Sequence, residues 1–285
     1  FARAISREDI YAMLQFAVVT AIVLPVLPNQ PLGPPPFDGV NPYRLWLMVV
    51  LISGISFLGY VLIKLVGPRM GIGLTGLLGG LASSTAVTVS LTERSKGHAE
   101  LGRPLALAIM IAWTVMFARV VAIVGMLNVA LLRALWGPMV AASVAGLAYC
   151  AYLYLAQRTA DREDIAFSNP FHLGPALQFG LLYGVVLLAS RAAQMWLGNA
   201  GVYLSSILAG LAGVDAVALS MADLARVAGG PDVHTAMQAI VLAAMSNTVA
   251  KGVVVMAGGS PALRRALLPG LQLILVVGVG VVILW

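Results

Sequence analysis

Two stretches of the chain, LLGGLASSTAVTVSLTE at Leu77–Glu93 and ILAGLAGVDAVALSMAD at Ile207–Asp223, align without gaps at an offset of 130 residues. Identities fall at Leu78/Leu208, Gly80/Gly210, Leu81/Leu211, Ala82/Ala212, Ala86/Ala216, Val87/Val217 and Ser90/Ser220, and Glu93 meets Asp223. Self-similarity at a fixed spacing is the sequence signature of a repeated structural unit. The match extends outward. LISGISFLGY from Leu51 pairs with LLYGVVLLAS from Leu181 at the same offset, and Ala118-Arg119-Val120 pairs with Ala250-Lys251-Gly252 at an offset of 132.

Composition places these repeats in a membrane. A chain of 285 residues that is 60% hydrophobic and 10% charged, with a mean hydropathy of +0.96, cannot hide its apolar surface in one water-soluble core. A bilayer admits helices or closed barrels, and a helix needs roughly 20 mostly apolar residues to cross it. Long apolar runs predict an all-α integral membrane protein of about nine transmembrane helices. They lie near Ile10–Leu27, Leu45–Val66, Ile72–Leu91, Leu105–Asn128, Pro138–Ala156, Pro175–Leu197, Val202–Ala222, Val233–Ala257 and Leu267–Trp285. The organisation expected is a single transmembrane domain over 1–285. A leading helix and Pro-rich loop (1–44) precede two four-helix units, 45–157 and 175–285. An even number of spans per unit gives both copies the same orientation, whereas a re-entrant segment in place of one span inverts them.

The net charge of +6 comes from 17 Lys and Arg spread along the whole chain, without the basic stripe that nucleic acid requires. Seven of them (Arg3, Arg7, Lys64, Arg69, Arg133, Arg264, Arg265) flank one side of the nine expected spans. Seven more (Arg44, Arg94, Lys96, Arg103, Arg158, Arg162, Arg226) flank the other, so the positive-inside rule gives a tie. The nearly uncharged loop LPNQPLGPPPFDGVNPY and the uncharged end VVILW favour a cytoplasmic N-terminus. The opening on Phe1, with no basic n-region and cleavage site, points to an upstream portion rather than a signal peptide.

The repeated stretches carry the chemistry. Gly76 and Gly80 have the GxxxG spacing that lets helix backbones approach closely, and Gly79, Gly210 and Gly213 add to this packing or to a helix break. Packing leaves Ser83-Ser84-Thr85 unexplained, since three successive hydroxyls cannot all face one neighbour. It also leaves Asp215, which occupies the repeat position of Thr85. An ionisable residue within a span costs several kcal/mol and marks a site or a pathway. Both stretches therefore read as interrupted helices lining a central polar site, the third and seventh of the nine. Arg119 and Lys251 supply buried cations, with Asn247 one turn before Lys251 on the same face. Pairing of Asp215 with either cation is the plain structural alternative. Arg191 is expected to snorkel from the end of its span. Cys150 reads as a packing or lipid-facing residue, and His98, His172 and His234 lack metal-ligand spacing. No GxSxG or phosphate-binding Gly-Lys-Ser/Thr occurs. The expectation is no enzyme, no cofactor and no identified metal.

LPVLPN in the first span and its exit, NPYRLWLMVVLISGISFLGYVLIK at the second, GLTGLLGGLASSTAVTVSLTERS at the third and NPFHLGPALQFGLLYGVVLL at the sixth resemble the bacterial membrane domain of unknown function 4010. The resemblance covers nearly all of the chain. It implies an upstream MgtC/SapB-type domain in the same polypeptide, a multi-pass place in the bacterial inner membrane and a link with magnesium homeostasis through that neighbour. It carries over no catalytic residue. The reading favoured is a secondary transporter or channel for a small ion, with a cation, including a divalent one, preferred on that link. The alternatives are a non-transporting scaffold or regulatory partner and a lipid-handling protein. Membrane lipid and the ion are the partners expected, and a homo-oligomer stays open.

Overall fold

The computed structural model describes residues 7–34, 37, 40–66, 71–96, 98–156, 173–227 and 229–284. Arg3, Arg69, Arg158, Arg162, His172 and Trp285 lie outside them. Regular structure among the described residues is helical. α1 (Arg7–Ala17) runs through a π-helical stretch, Val18–Val23, into α2 (Leu24–Val26). There follow α3 (Pro42–Val66), α4 (Ile72–Arg94), α5 (Gly102–Leu127), α6 (Val129–Leu155), α7 (Leu173–Ala212), α8 (Val214–Leu224), α9 (Val233–Gly258) and α10 (Pro261–Leu284). The chain is an all-α, multi-pass membrane protein. Seven of its helices are long and apolar enough to cross a bilayer, by length and composition. Their outer surfaces leave Leu58, Leu181, Trp196 and Val276 more than 60% exposed, an apolar surface that only lipid tolerates.

Caps place the helix starts. Asn128 ends α5 and opens α6, its side chain accepting from the Leu131 amide at 3.0 Å. Asp232 opens α9, accepting from the Thr235 amide at 2.9 Å; that bond and one from the Thr235 hydroxyl hold its carboxyl below the usual range.

All nine expected segments are helical, but the third and seventh do not cross. A straight helix of 23 residues would separate its ends by about 35 Å. Instead Gly76 packs on the backbone of Ala108 and Gly80 on that of Ala112, running parallel to α5. Beyond Ser83 the direction reverses: Trp113 Nε1 donates to Thr88 Oγ1 at 2.9 Å. Ser95 Oγ accepts from the Ser260 amide at 2.9 Å, and α5 starts beside it, with Gly102 against Ala262. α4 is therefore a hairpin of two limbs, 72–82 and 84–94, that returns to the face it came from. Each limb spans 11 residues, about 16 Å, half of a hydrocarbon core of ~30 Å.

The second unit repeats this. α7 turns back at Gly198, whose φ of 59° is the left-handed conformation that favours glycine. Its limbs 173–197 and 199–212 are antiparallel, for Gly201 lies against Ala193 and Ser205 Oγ bonds Ser190 Oγ at 3.3 Å. Limb 199–212 runs parallel to α9, with Tyr203 bonded to Gln238 and Gly210 against Ala243. After Gly213, α8 returns to the start of α9. A second hairpin results, from the opposite face, where Asn128 Nδ2 donates to Ala222 O at 3.3 Å and Arg226 to Leu127 O at 2.9 Å.

Each unit thus holds three face-to-face helices and one re-entrant hairpin. With an odd number of crossings the units are inverted, which replaces the parallel arrangement expected from nine full spans. The inversion also breaks the charge tie. Among the described residues Arg7, Lys64, Arg94, Lys96, Arg103, Arg264 and Arg265 flank the face where α5 begins, and Arg44, Arg133 and Arg226 the face where it ends. Arg191 does not snorkel; it is 6% exposed and donates to Gly229 O at 2.9 Å.

Along the hairpin limbs and at their tips glycine acts by contact rather than by conformation. A β-carbon on Gly210 would stand 2.6 Å from the Ala243 carbonyl oxygen and 2.7 Å from its Cα, whereas one on Gly213 meets nothing within 4 Å. Gly213 has an extended φ of 173°, open to any residue. Gly210→Ala is expected to cost about 1–3 kcal/mol by overpacking and Gly213→Ala almost nothing. Thermal unfolding of the two variants in detergent decides, and equal losses would contradict the packing.

Candidate functional site

The two hairpin tips meet near the mid-length of α5 and α9. Ser83 breaks α4 with φ −166° and ψ 106°, the extended geometry of an N-cap, and its Oγ accepts from the Ala86 amide at 3.2 Å. Gly213 stands 130 residues later at the equivalent break. Thr85 and Asp215 each follow their break by two residues. The correspondence expected from the alignment is present in space. Both residues line a cavity of about 370 Å³ together with Ser83, Ser84, Met116, Arg119, Gln178 and Asn247, walled by Phe179, Leu182, Ala212, Gly213, Val214 and Ala216.

The charges reach across the two units. Arg119 on α5 donates through Nη1 to Leu81 O at 3.1 Å, at the end of the incoming limb of α4. Its Nη2 pairs with Asp215 Oδ2 in the first turn of α8. One guanidinium therefore ties the first tip to the second, using the fork geometry particular to arginine. The pair is largely dry, with side chains 9% and 15% exposed, and both Arg119 Nε and Asp215 Oδ1 are buried without a hydrogen-bond partner. Lys251, 2% exposed, donates Nζ to Ser84 Oγ at 3.0 Å and lies 2.8 Å from Met116 Sδ. It stands behind the cavity wall. The same α9 face carries Asn247, whose Nδ2 donates to Gly210 O at 2.9 Å.

Among known proteins, a family model described as a domain of unknown function (DUF4010) matches residues 50–259. The chain belongs to this family. An uncharacterized protein of Aquifex aeolicus (strain VF5) is 31% identical over 193 residues, covering 67% of this chain and 84% of that relative. No solved structure matches.

Of the residues singled out by sequence, Ser83, Ser84, Thr85, Arg119, Asp215, Asn247 and Gly213 line the cavity. Lys251 contacts two lining residues without lining it. Gly76, Gly80 and Gly210 are the close-packing positions, and Gly79 is buried in the same limb. The paired contacts Gly80–Ala112 and Gly210–Ala243 set the α5 to α9 offset at 131, not 132. Arg119 and Lys251 are therefore one residue out of register, and Asp215 pairs with the former. Sequence reading passed over Ser56, which donates to Ala82 O at 3.1 Å, and Gln178, a polar residue inside an apolar run whose position was itself the signal. Among the described residues no cluster of three His, Cys, Asp or Glu could hold a metal ion.

Asp215→Asn strands the Arg119 cation in this dry setting, and breaking a buried pair costs about 3–5 kcal/mol. Adding Arg119→Met should recover part of that loss, because the two side chains are coupled. Unfolding of the single and double variants in detergent measures both, and a wild-type melting temperature for Asp215→Asn would refute the pairing.

Proposed function

We propose that this family member is a secondary transporter for a small ion, working by alternating access to the cavity between the hairpin tips. The observation that supports it most directly is the inversion. Two units of like fold and opposite direction each send a half-length hairpin to one shared polar cavity. In such a pair, exchanging the conformations of the units exchanges the face on which the cavity opens. Buried ionisable groups at that depth are kept for ion pathways because their cost is otherwise unrecovered. A secondary transporter draws on a gradient, and the reading assigns the chain no catalysis and no cofactor.

On this reading the protein sits in a bacterial inner membrane, and the positive-inside rule, applied to the inverted arrangement, supports a cytoplasmic side for the face where α5 begins. The start of α1 lies on that face. An MgtC-type domain upstream would then sit there too. The cation preference drawn from that neighbour concerns the neighbour.

Side-specific labelling tests alternating access. With Cys150 replaced by Ala, Thr85→Cys places one thiol in the cavity wall. In sealed proteoliposomes of defined orientation, a membrane-impermeant maleimide should modify it from either face, at rates that change when the permeant ion is supplied. Labelling from neither face, or from one face at an invariant rate, would sink the transport reading in favour of a static scaffold.

A further inference from the structure

The outgoing limbs of the two hairpins are equivalent in the repeat and unequal in burial. Along limb 84–94 of α4, Thr85, Ala86, Val89, Ser90 and Glu93 are exposed, a stripe at helical spacing on one face. Their counterparts on α8, 130 residues later, are covered. Ala216, Leu219 and Ser220 are fully buried, and the side chains of Asp215 and Asp223 are 15% and 16% exposed. Thr85 lines the cavity, so the exposed stripe joins it and leads to the face where α5 begins. A stripe turned to lipid would be apolar, like Leu58, Leu181 and Val276; here Thr85, Ser90 and Glu93 carry polar groups, which belong against water or the bundle interior.

Toward the opposite face the way is shut. Phe179 of the cavity wall lies parallel to Tyr183, one turn further along α7, with ring centroids 6.4 Å apart. Tyr183 is fully buried, and Asp223 and Arg44 both act on it electrostatically. Beyond it Arg44, at the start of α3, and Asp223, in the last turn of α8, stand 3.7 Å apart and tie the first unit to the second hairpin. The Tyr183 hydroxyl and Ser220 Oγ are buried there without a hydrogen-bond partner, polar groups that water would satisfy were the path open. The first unit has no copy of this closure. Ser53 stands at the repeat position of Tyr183, and among the described residues Glu93, the counterpart of Asp223, forms no ion pair.

We infer that the cavity opens along the outgoing limb of α4 to the face where α5 begins, and that Tyr183 with the Arg44–Asp223 pair is the gate that closes it toward the other face. This deepens the alternating-access reading, on which it rests for the gate having to open. In the opposite state of an inverted pair the burial is exchanged: the α8 face of Ala216, Ser220 and Asp223 is bared and the α4 stripe covered. Arg44 is 58% exposed, and an ion pair so open to water is weak enough to part.

Side-specific labelling tests the gate, with the membrane-impermeant maleimide, the Cys150→Ala background and sealed proteoliposomes of defined orientation. The reagent needs a thiolate, which forms in water and not in lipid. From the face where α5 begins, Ser90→Cys should react at least tenfold faster than Leu147→Cys, an exposed apolar position in the half of α6 nearer that face. From the other face Ser220→Cys should be inert. Adding Arg44→Ala should raise the Ser220→Cys rate there at least threefold and lower that of Ser90→Cys, whereas Arg44→Lys, which keeps the charge, should leave both unchanged. Asp223→Asn should act as Arg44→Ala does. Ser90→Cys no faster than Leu147→Cys places the stripe in lipid and overturns the inference. So does Ser220→Cys that reacts with the gate pair intact, or stays inert in both gate variants. The expected labelling with no flux of sodium, potassium, magnesium, chloride or phosphate upholds the gate and sinks transport; flux of one of them with Ser220→Cys reactive while the pair is intact does the reverse.

Discussion

The arrangement depends on one guanidinium. Arg119 holds Leu81 O of the first hairpin with one nitrogen and Asp215 of the second with another. Neither tip could remain near the middle of a bilayer alone, because a helix that stops there exposes carbonyls and amides with no water to satisfy them. Arg119 satisfies a carbonyl end on one side and the charge of a first-turn carboxylate on the other. The same contact couples the inverted units, so a displacement of either tip is felt at the other.

The second constraint is backbone proximity. α5 and α9 are the most buried of the seven long helices, each with 67% of its apolar window inside the protein, and each receives an incoming limb through glycine on alanine. Association in lipid draws no help from the hydrophobic effect and depends on van der Waals contact and interhelical hydrogen bonds. Gly210 brings its limb close enough for Ser246 and Asn247 of α9 to reach Ile207 O and Gly210 O, and Gly59 of α3, against Ala82, does the same for Ser56 and Ala82 O. Packing and polar satisfaction are one device here.

The two units are alike in backbone and unlike in chemistry. The first break is made by Ser83, which caps the returning limb; the second by Gly213, which does not, and Asp215 takes the place of Thr85. The cations differ as well. Arg119 spans both tips, whereas Lys251, one residue out of register, stays behind the wall and meets Ser84. The two tips are therefore not equivalent half-sites.

The membrane class, the nine helical segments and most of the residues that line the cavity were legible in the sequence. Each is a local or periodic property: apolar run length, the 130-residue offset, hydroxyls and an aspartate where lipid would demand carbon. Whether the third and seventh segments cross was not legible, since a largely apolar stretch such as the 23 residues of α4 suits one crossing as well as two half-length limbs. Reversal turns on a single extended residue at Ser83 and at Gly213, conformations that any residue adopts, so no residue type announces them. Only the tertiary contacts, Ser95 with Ser260 and Asn128 with Ala222, show which face each hairpin returns to. From that follow the inversion and the resolved charge bias, and the contacts across the units show that Asp215 pairs with Arg119 and not with Lys251. Partner choice among three buried charges is a matter of helix register and depth, and one residue of register separates the two cations.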